Sequence, residues 1–457
     1  MSEDPRESAG PSEEERRRQA EKPQKDSLAL HKFYRGKMET VPKCVVRDLS
    51  DFSLWYSPGV AGPCKAIHEE PDRVYDYTNK WNTVAVISDG SRVLGLGDIG
   101  PKAGLPVMEG KALLYRYLGG VDSVPITLDT NDPDEIIRTV LLLQPSFGGI
   151  NLEDISQPKC FRILETLRRQ AEIPVWHDDQ QGTATVTLAG LLNALRYVGK
   201  KLEEARIAFI GAGAANVACA RLIFGRGADP GRCLVADSRG ILGRHREDIA
   251  TRKNEYPEKW ELCEKTNADG REGGIAEAMA GADAVISLAQ PGPGTIQPAW
   301  VSAMAEKPVV FACANPTPEI WPWEAEEAGA AVVATGRSDF PNQVNNSLCF
   351  PGIFRGALDV RASTISDEMC YAAAEALADN VGDDLRGDHI LPTMEDWKVF
   401  VDVAVAVAEK AMAQGVARQQ RTREDLRAAA DAMIRRSRAV TQDMMERGHI
   451  PAPDGVL

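Results

Sequence analysis

Short apolar strands alternate with amphipathic helices along most of this chain, and this alternation is the feature that most limits its fold. The first series of predicted strands is Ser123–Leu128, Phe147–Asn151 and Ile173–His177. The second series is Arg206–Ile210, Cys233–Asp237, Ala284–Leu288, Val309–Cys313 and Ala330–Thr335. Strands that alternate with helices form parallel sheets covered by helices. The sequence therefore predicts the α/β class, with two such domains in succession.

The chain has 457 residues, which is too long for one ordinary hydrophobic core and favours several domains. Residues 1–27 are rich in charge and proline and are predicted to be a disordered tail. The first α/β domain is placed at 28–182 and a doubly wound, Rossmann-like domain at 183–415. A helical segment at 416–457 follows, and C-terminal helices are predicted after Ser366, Thr393 and Thr422.

Two apolar runs between Thr83 and Gly97 flank the dipeptide Asp89-Gly90. Asp-Gly between apolar runs favours a type I′ turn, so the segment is predicted to be a β-hairpin.

Composition excludes several classes of function. The formal net charge of −14 argues against nucleic acid and anionic membranes as partners. The nine cysteines are widely spaced and contain no CxxC pair, which argues against structural zinc and a disulfide framework. The sequence has no secretory signal and no apolar run suited to a membrane span, so a cytoplasmic protein is expected.

A glycine-rich segment directly follows the strand Arg206–Ile210 and opens a helix. Its residues are Gly211, Ala212, Gly213, Ala214, Ala215 and Asn216. Such a loop brings backbone N–H groups and the positive end of a helix dipole to a pyrophosphate. The third position of the usual GxGxxG pattern is Asn216 here, but the strand–loop–helix context still predicts dinucleotide binding.

Asp237 ends the next strand, where an acidic residue accepts hydrogen bonds from the cofactor ribose. A carboxylate there repels the 2′-phosphate of NADP, so the sequence favours NAD. Arg239, Arg244 and Arg246 follow closely and offer an alternative, in which they hold that phosphate. NAD and NADP therefore both remain open.

Two acidic pairs follow strands of the first domain: Glu153-Asp154 and Asp178-Asp179. Parallel strands end at one edge of a sheet, so these carboxylates are expected to lie together. Carboxylates brought together repel one another unless a cation neutralises them. Hard oxygen ligands suit Mg²⁺ or Mn²⁺, so a divalent-metal site is predicted at this edge.

Cationic, aromatic and amide side chains are candidates for the same site. Arg92 and Lys111 lie in a glycine-rich segment leading to the acidic edge, where Arg grips carboxylates and a desolvated Lys can act as a base. Tyr56 precedes a Ser-Pro-Gly turn that can fix its ring. The amides Asn315, Asn345 and Asn346 are suited to reading carboxylates and hydroxyls.

Taken together, these segments resemble the malic enzyme family from about Leu28 to Gly415. The strings that carry the resemblance are YSPGVAGPC (Tyr56–Cys64), RVLGLGDIG (Arg92–Gly100), PVMEGK (Pro106–Lys111), INLEDI (Ile150–Ile155), HDDQQGTA (His177–Ala184), GAGAA (Gly211–Ala215), ANPTPEI (Ala314–Ile320) and FPGIFRGALD (Phe350–Asp359). The length is similar to that of the short microbial form. Gln181, where bacterial members commonly have His, and Asn216 depart from the family pattern.

The resemblance implies a role for each candidate. Metal ligands would be Glu153, Asp154 and Asp179, and Asp178 would orient Lys111. Lys111 would be the general base and Tyr56 the general acid. The dicarboxylate would be bound by Arg92, Asn315, Asn345 and Asn346, with Asn315 also near the nicotinamide. A homodimer or larger assembly is implied as well.

The implied reaction is oxidative decarboxylation of L-malate to pyruvate and CO₂, with reduction of NAD or NADP and dependence on Mg²⁺ or Mn²⁺. Three alternatives remain open. A malolactic enzyme would retain NAD and release lactate. A hydroxy- or amino-acid dehydrogenase would not decarboxylate, and a regulatory dinucleotide-binding protein would not need Tyr56, Lys111 and the carboxylates.

Overall fold

The computed structural model describes residues 13–456, with side chains from Lys22 onward. The described residues divide into two compact units, which are 13–40 with 439–456 and 41–438. Each unit is described separately below.

The first unit contains helix α1 (Glu13–Tyr34), where the sequence analysis expected part of a disordered tail. Glu, Arg, Gln, Lys and Ala dominate this stretch, and all of them are good helix formers. Lys22 and Asp26, one turn apart, approach to 3.9 Å, which adds weak support. The Tyr34 hydroxyl donates to the carbonyl of Pro451 over 2.9 Å. The first twelve residues of the predicted tail lie outside the described part.

The second unit begins with the short helices α2 (Phe52–Trp55), α3 (Ala61–Glu69) and α4 (Val74–Tyr77). Its first sheet has four strands, which are β1 (Thr83–Ser88), β2 (Asp122–Thr127), β3 (Gly149–Leu152) and β4 (Val175–His177). The strand order is β2-β1-β3-β4, and every pair is parallel. The carboxyl ends of all four strands therefore lie at one edge of this sheet.

The predicted hairpin over Thr83–Gly97 is wrong. Strand β1 is central, and its two edges pair with β2 and β3, so no edge remains for a returning strand. The chain instead folds into a compact turn closed by the Val93–Gly97 bridge. The carbonyl of Gly90 accepts the N–H groups of Ile99 and Gly100 at the start of the next helix.

Helices connect the strands of the first sheet as the alternation predicted. They are α5 (Gly100–Gly119), α6 (Pro133–Leu143) and α7 (Lys159–Gln170), and α8 (Thr183–Val198) leads into the next sheet. Local chemistry sets the start of α6: the Asp132 side chain accepts the N–H of Asp134 over 2.8 Å, and Pro133 occupies the first turn.

The second sheet has six strands, which are β5 (Ile207–Ile210), β6 (Leu234–Asp237), β7 (Gly240–Ile241), β8 (Ala284–Ser287), β9 (Val309–Ala312) and β10 (Val332–Thr335). Their order is β10-β9-β8-β5-β6-β7, and only β7 is antiparallel to its neighbour. The helices around it are α9 (Ala214–Gly225), α10 (Glu247–Ala250), α11 (Pro257–Lys265), α12 (Ile275–Met279), α13 (Pro298–Ser302) and α14 (Pro322–Glu327). This order confirms the doubly wound prediction, with its switch point between β5 and β8.

The C-terminal part is helical, as predicted. Its helices are α15 (Phe350–Asp359), α16 (Asp367–Asp379), α17 (Lys398–Ala413) and α18 (Arg423–Glu446). Ser366 caps α16 and Thr422 accepts the N–H of Asp425 in α18, but the helix expected after Thr393 begins only at Lys398. Among the described residues, no helix has both the length and the apolar character needed to cross a membrane.

Candidate functional site

Three carboxylates meet at the carboxyl edge of the first sheet. Glu153 and Asp154 follow β3, and Asp179 follows β4 by two residues. One oxygen from each lies within 4.8 Å of the others. The backbone of Asp154 has φ of +54°, and its N–H donates to Asp179 Oδ2 over 2.8 Å. The structure thus brings together the three predicted metal ligands.

The electrostatics of this cluster favour a cation. Burial raises the pKa of Asp154 to about 8, and the nearby charge of Asp179 adds to the rise. Burial also holds the pKa of Glu153 well above its ordinary value, despite the opposing effect of Lys111. Among the described residues, Asp154 Oδ2 is buried with no hydrogen-bond partner. An orphaned carboxylate oxygen beside two others fits Mg²⁺ or Mn²⁺, which bind such hard ligands.

Lys111 projects from α5 into the same edge, where it is buried. Its Nζ lies 2.7 Å from Glu153 Oε1, hydrogen-bonds to Asp178, and sits 4.4 Å from the centre of the Phe350 ring. Burial alone would lower the pKa of Lys111. The negative charges of Asp178 and Glu153 have the larger effect, and the pKa of Lys111 is raised above its ordinary value. Asp178 is held in turn by the indole N–H of Trp176 at 2.9 Å.

Two further residues hold Glu153, and the sequence analysis missed both. The Tyr115 hydroxyl donates to Asn151 Oδ1 over 2.7 Å, and Asn151 Nδ2 donates to Glu153 Oε2 over 2.8 Å. Both residues are fully buried. Two signals were available: Tyr115 lies one helical turn after Lys111, and Asn151 is a polar residue inside an apolar strand.

Gln181, one of the two departures from the family pattern, lies in the π-helical turn Asp178–Gly182. Its Oε1 accepts the backbone N–H of His177 over 3.0 Å. His177 is fully buried, and burial lowers the pKa of its imidazole. In the described part of the chain, neither ring nitrogen has a hydrogen-bond partner. Gln181 therefore fixes the backbone that leads into Asp178.

The turn after β1 contacts the cluster through its backbone. The N–H of Arg92 donates to the carbonyl of Asp154 over 3.0 Å, and the N–H of Leu94 lies 3.4 Å from Asp154 Oδ1. The side chain of Arg92 is exposed.

Tyr56 follows α2 and is 73% exposed. Within the described chain, no hydrogen bond or ion pair joins its hydroxyl to Lys111 or to the carboxylates. Its segment exposes several apolar side chains: Val45, Leu49, Phe52, Leu54 and Trp55. The structure therefore does not join the predicted general acid to the rest of the candidate site.

The glycine-rich loop adopts the predicted strand–loop–helix form. Gly211 has φ of +97°, and a β-carbon there would lie 2.8 Å from the carbonyl oxygen of Leu288, so only glycine fits. Gly213 caps α9, and Ala212, Ala214 and Ala215 are partly exposed. The loop therefore leaves room for a pyrophosphate at the helix N-terminus.

Asn216, the departure in that loop, is buried. Its Nδ2 donates to the carbonyls of Ile210 at 2.8 Å and Gly211 at 2.9 Å, and lies 3.4 Å from that of Ile286. Asn216 therefore ties the loop to β5 and β8.

Asp237 lies beside a cavity of about 670 Å³ and is engaged by its own chain. Arg246 donates to Oδ1 over 2.9 Å and to Oδ2 over 3.0 Å, and Lys259 Nζ lies 2.5 Å from Oδ2. The N–H of Arg239 donates to Oδ1 over 2.9 Å. Burial raises the pKa of Asp237, but the hydrogen bonds from Arg246 and Lys259 together bring it below its ordinary value.

Contacts within the chain already engage the side chains that the NAD and NADP alternatives invoke. A carboxylate offers about four acceptor positions, and four donors already contact Asp237. Arg246, a predicted phosphate ligand, is largely buried between Asp237 and Asp248, with Nε 2.8 Å from the latter. Arg244 is exposed and points to the carbonyl of Glu264 at 3.5 Å. The Arg239 side chain is 70% exposed, so it remains open to a phosphate.

The three asparagines come from loops after β9 and β10. The Asn315 side-chain amide lies beside Gly336, and Asn345 Nδ2 donates to the Gly336 carbonyl over 3.3 Å. Asn346 packs beside Gly182, which also lies against the Asp178 carboxylate. These contacts place Asn346 next to the edge that carries Asp178, and they place Asn315 and Asn345 on either side of Gly336.

Comparison with known proteins identifies the family of this chain. Residues 35–168 match the family model "Malic enzyme, N-terminal domain", and residues 180–412 match "Malic enzyme, NAD binding domain". The chain is 51% identical over 395 residues to the bifunctional malic/malolactic enzyme of Bacillus subtilis, covering 86% of this chain and 94% of that protein. It is 50% identical over 387 residues to the NAD-dependent malic enzyme of Geobacillus stearothermophilus, covering 84% and 78%.

A solved structure shows the same fold. The malic enzyme of Entamoeba histolytica superposes with a TM-score of 0.93 at 48% identity, covering 97% of this chain and 93% of that one. With both family models matched in order across the two sheets, the chain belongs to the malic enzyme family.

Proposed function

We propose that this protein oxidises and decarboxylates L-malate to pyruvate and CO₂, reducing NAD or NADP, with a divalent cation at the acidic cluster. The observation that carries the proposal is the convergence of Glu153, Asp154 and Asp179 next to the buried Lys111. A divalent cation at this cluster would stabilise the enolate left when CO₂ is lost, a step that a dehydrogenase transferring only hydride does not carry out.

The cation would be held by Glu153, Asp154 and Asp179. When bound, it would polarise the oxygen on C2 of the substrate, which favours both alcohol oxidation and loss of CO₂. The nicotinamide would accept hydride from C2. The residues of the chain then have two tasks, which are to grip the dicarboxylate and to move protons.

Lys111 would remove the proton from the C2 hydroxyl as the base. Its two carboxylate partners support this role, because Asp178 can hold Nζ in place while Glu153 turns to a cation. A second proton is needed at C3 once CO₂ has left, and Tyr56 would deliver it. The two transfers balance, since one proton leaves the substrate and one returns.

Arg92, Asn315, Asn345 and Asn346 would bind the two carboxylates of malate. An Arg offers paired donors to a carboxylate, and amides add neutral donors that do not repel a cation. The cofactor would lie along the loop from Gly211 to Asn216, with Asp237 at the adenosine end and NAD favoured.

We also propose a homodimer or a larger homo-oligomer. The exposed apolar side chains around Tyr56 support it, since apolar patches on a protein surface often mark subunit contacts. Sedimentation would test this, and a strictly monomeric active enzyme would exclude it.

One assay tests the proposed activity. Malate is supplied with NAD or NADP, with and without Mn²⁺, and pyruvate, CO₂ and reduced cofactor are measured. Equal turnover after exhaustive chelation would contradict the metal-dependent mechanism, and absence of CO₂ would indicate a simple dehydrogenase.

Malolactic conversion is a second candidate, because the relative from Bacillus subtilis is named a bifunctional malic/malolactic enzyme. Lactate formed with catalytic amounts of NAD and no NADH in solution would support it. Pyruvate formed with an equal amount of reduced cofactor would support the malic activity.

A further inference from the structure

Glu319 is a fully buried carboxylate outside the acidic cluster, near the cofactor loop of the second domain. It follows Asn315 by four residues and precedes α14. Burial raises its pKa, and the N–H groups of Ala289 and Ala314 oppose that rise. An ionised group this deep in a protein is costly unless its oxygens are well paired.

Its hydrogen bonds join two loops that leave neighbouring strands. Oε1 accepts the Ser287 hydroxyl at 2.8 Å and the Ala289 N–H at 2.9 Å, both at the end of β8. Oε2 accepts the N–H of Ala314 at 3.0 Å, just after β9. One carboxylate therefore fixes the spacing between the loops after β8 and β9.

The backbone of Glu319 extends the same connection. Its carbonyl accepts the N–H groups of Gly294 and Ile296, each at 3.1 Å. The chain from Leu288 to Ile296 is thus held at both ends by a single residue. Leu288, at its start, lies against Gly211 of the glycine-rich loop.

These two loops also meet the first domain at Gly95. A β-carbon on Gly95 would lie 2.3 Å from the Asn315 carbonyl oxygen and 2.8 Å from Pro291 Cγ. Gly95 lies in the turn after β1. The N–H of the preceding residue, Leu94, points at Asp154 Oδ1. The contact therefore lies between the loops of the cofactor domain and the acidic cluster.

We propose that the Glu319 carboxylate is a positioning group that holds Asn315 and the loop after β8 against the turn at Gly95. It touches neither substrate nor cofactor. Its effect is to set the distance between the nicotinamide side of the site and the cluster that receives malate. The inference rests on the proposed function.

The first test is Glu319→Gln, which keeps the shape but turns an amide N–H toward one of the buried N–H donors. We expect about a tenfold rise in KM for malate and in Kd for NADH, since small displacements in a site are costly. NADH binding is followed by fluorescence without malate or cation, so it does not depend on turnover.

Glu324→Gln is the matched control. Glu324 lies five residues later and also accepts a backbone N–H, that of Trp321 at 3.1 Å. Both variants are expected to lower the melting temperature, but only Glu319→Gln should change KM and Kd. If both variants leave KM and Kd within about twofold of wild type, Glu319 is a structural residue only and the proposal fails.

Two further variants keep the test decisive. Should Glu319→Gln not fold, Ser287→Ala removes one side-chain donor while both backbone donors remain, and a severalfold rise in KM for malate is expected. Gly95→Ala should also raise KM. In the Gly95→Ala, Glu319→Gln double variant the two effects should not multiply, because both break one contact, and full multiplication would overturn the proposal.

Failure of the proposed function would give a different result from failure of the positioning role of Glu319. A wild-type protein that binds neither NADH nor NADPH would contradict the malic activity itself. A wild-type protein that binds the cofactor and oxidises malate, with Glu319→Gln unchanged, would contradict only the positioning role.

Discussion

The Nζ of Lys111 lies 2.7 Å from Oε1 of Glu153, so the predicted base and a predicted metal ligand are paired with each other. A cation that binds Glu153 draws one negative charge away from Lys111 and adds a positive charge nearby. Both changes favour the neutral amine that a base requires. Metal binding and readiness for proton abstraction are therefore expected to be linked in this site.

Lys111→Met should separate these two properties. Malate oxidation should fall by about 10²- to 10⁴-fold, the usual contribution of general acid–base catalysis. Mn²⁺ binding, measured by calorimetry, should be kept or strengthened, because Glu153 loses a competing cation. Lys102→Met, an exposed lysine on the same helix, is the control. Near-normal malate oxidation by Lys111→Met would exclude it as the base.

Tyr56→Phe should affect only the second half of the reaction. Reduction of oxaloacetate by NADH needs no proton at C3 and should be retained, whereas malate-to-pyruvate turnover should be lost. Tyr77→Phe provides a control, since Tyr77 is another exposed tyrosine, at the end of α4. Equal loss of both partial reactions would be inconsistent with the assigned role.

Asp179→Asn should stabilise the protein without metal and remove its response to metal. The substitution relieves repulsion with Asp154, so the melting temperature in EDTA should rise. Wild type should gain about 2.7 kcal/mol at a Mn²⁺ concentration of one hundred times Kd, and the variant should gain far less. Asp129→Asn, at an exposed position two residues after β2, should behave as wild type. An unchanged Mn²⁺ response would remove Asp179 from the ligand set.

Lys259→Met should sharpen selection against NADP. It leaves the Asp237 carboxylate with one compensating charge fewer, and the added negative potential repels a 2′-phosphate. We expect the ratio of Kd for NADPH to Kd for NADH to rise about tenfold, or about 1.4 kcal/mol. Lys265→Met on the same helix, where Lys265 pairs with Glu261, is the control. A ratio that does not change would show that Asp237 has no part in cofactor choice.

Lys80 gives a pH-dependent prediction away from the site. Its Nζ donates to the Phe147 carbonyl over 2.8 Å, and burial lowers its pKa to about 8. Between about pH 8 and the unfolded value near 10.5, the unfolded chain binds more protons, so stability rises with pH. Urea unfolding at several pH values should show the free energy of unfolding of wild type rising with pH relative to that of Lys80→Met across this window. A constant difference would contradict the prediction.

The elements that the sequence predicted well depend on neighbouring residues. The start of α16 follows from its capping residue Ser366, and the acidic pairs could be placed because parallel strands end at one edge. The hairpin at Asp89-Gly90 failed because the pairing of β1 is decided by distant strands. The Asp89-Gly90 dipeptide carries no information about which distant strands pair with β1.

The same limit applies to the candidate site. Carboxylates that follow strands could be identified, but the Tyr115–Asn151–Glu153 connection depends on how α5 packs on the sheet. Glu319 lies in the string ANPTPEI, but its role could not be predicted because its partners are two backbone N–H groups and a serine from other loops. Such groups have no sequence signature.

The amide of Asn216 has a consequence for engineering. Because this side chain ties the glycine-rich loop to two strands, restoring the usual glycine or alanine would bring the chain closer to the common fingerprint while loosening the loop. Redesign of cofactor preference should therefore keep this asparagine and alter the rim near Arg239 instead. Here the consensus residue would be the disruptive choice.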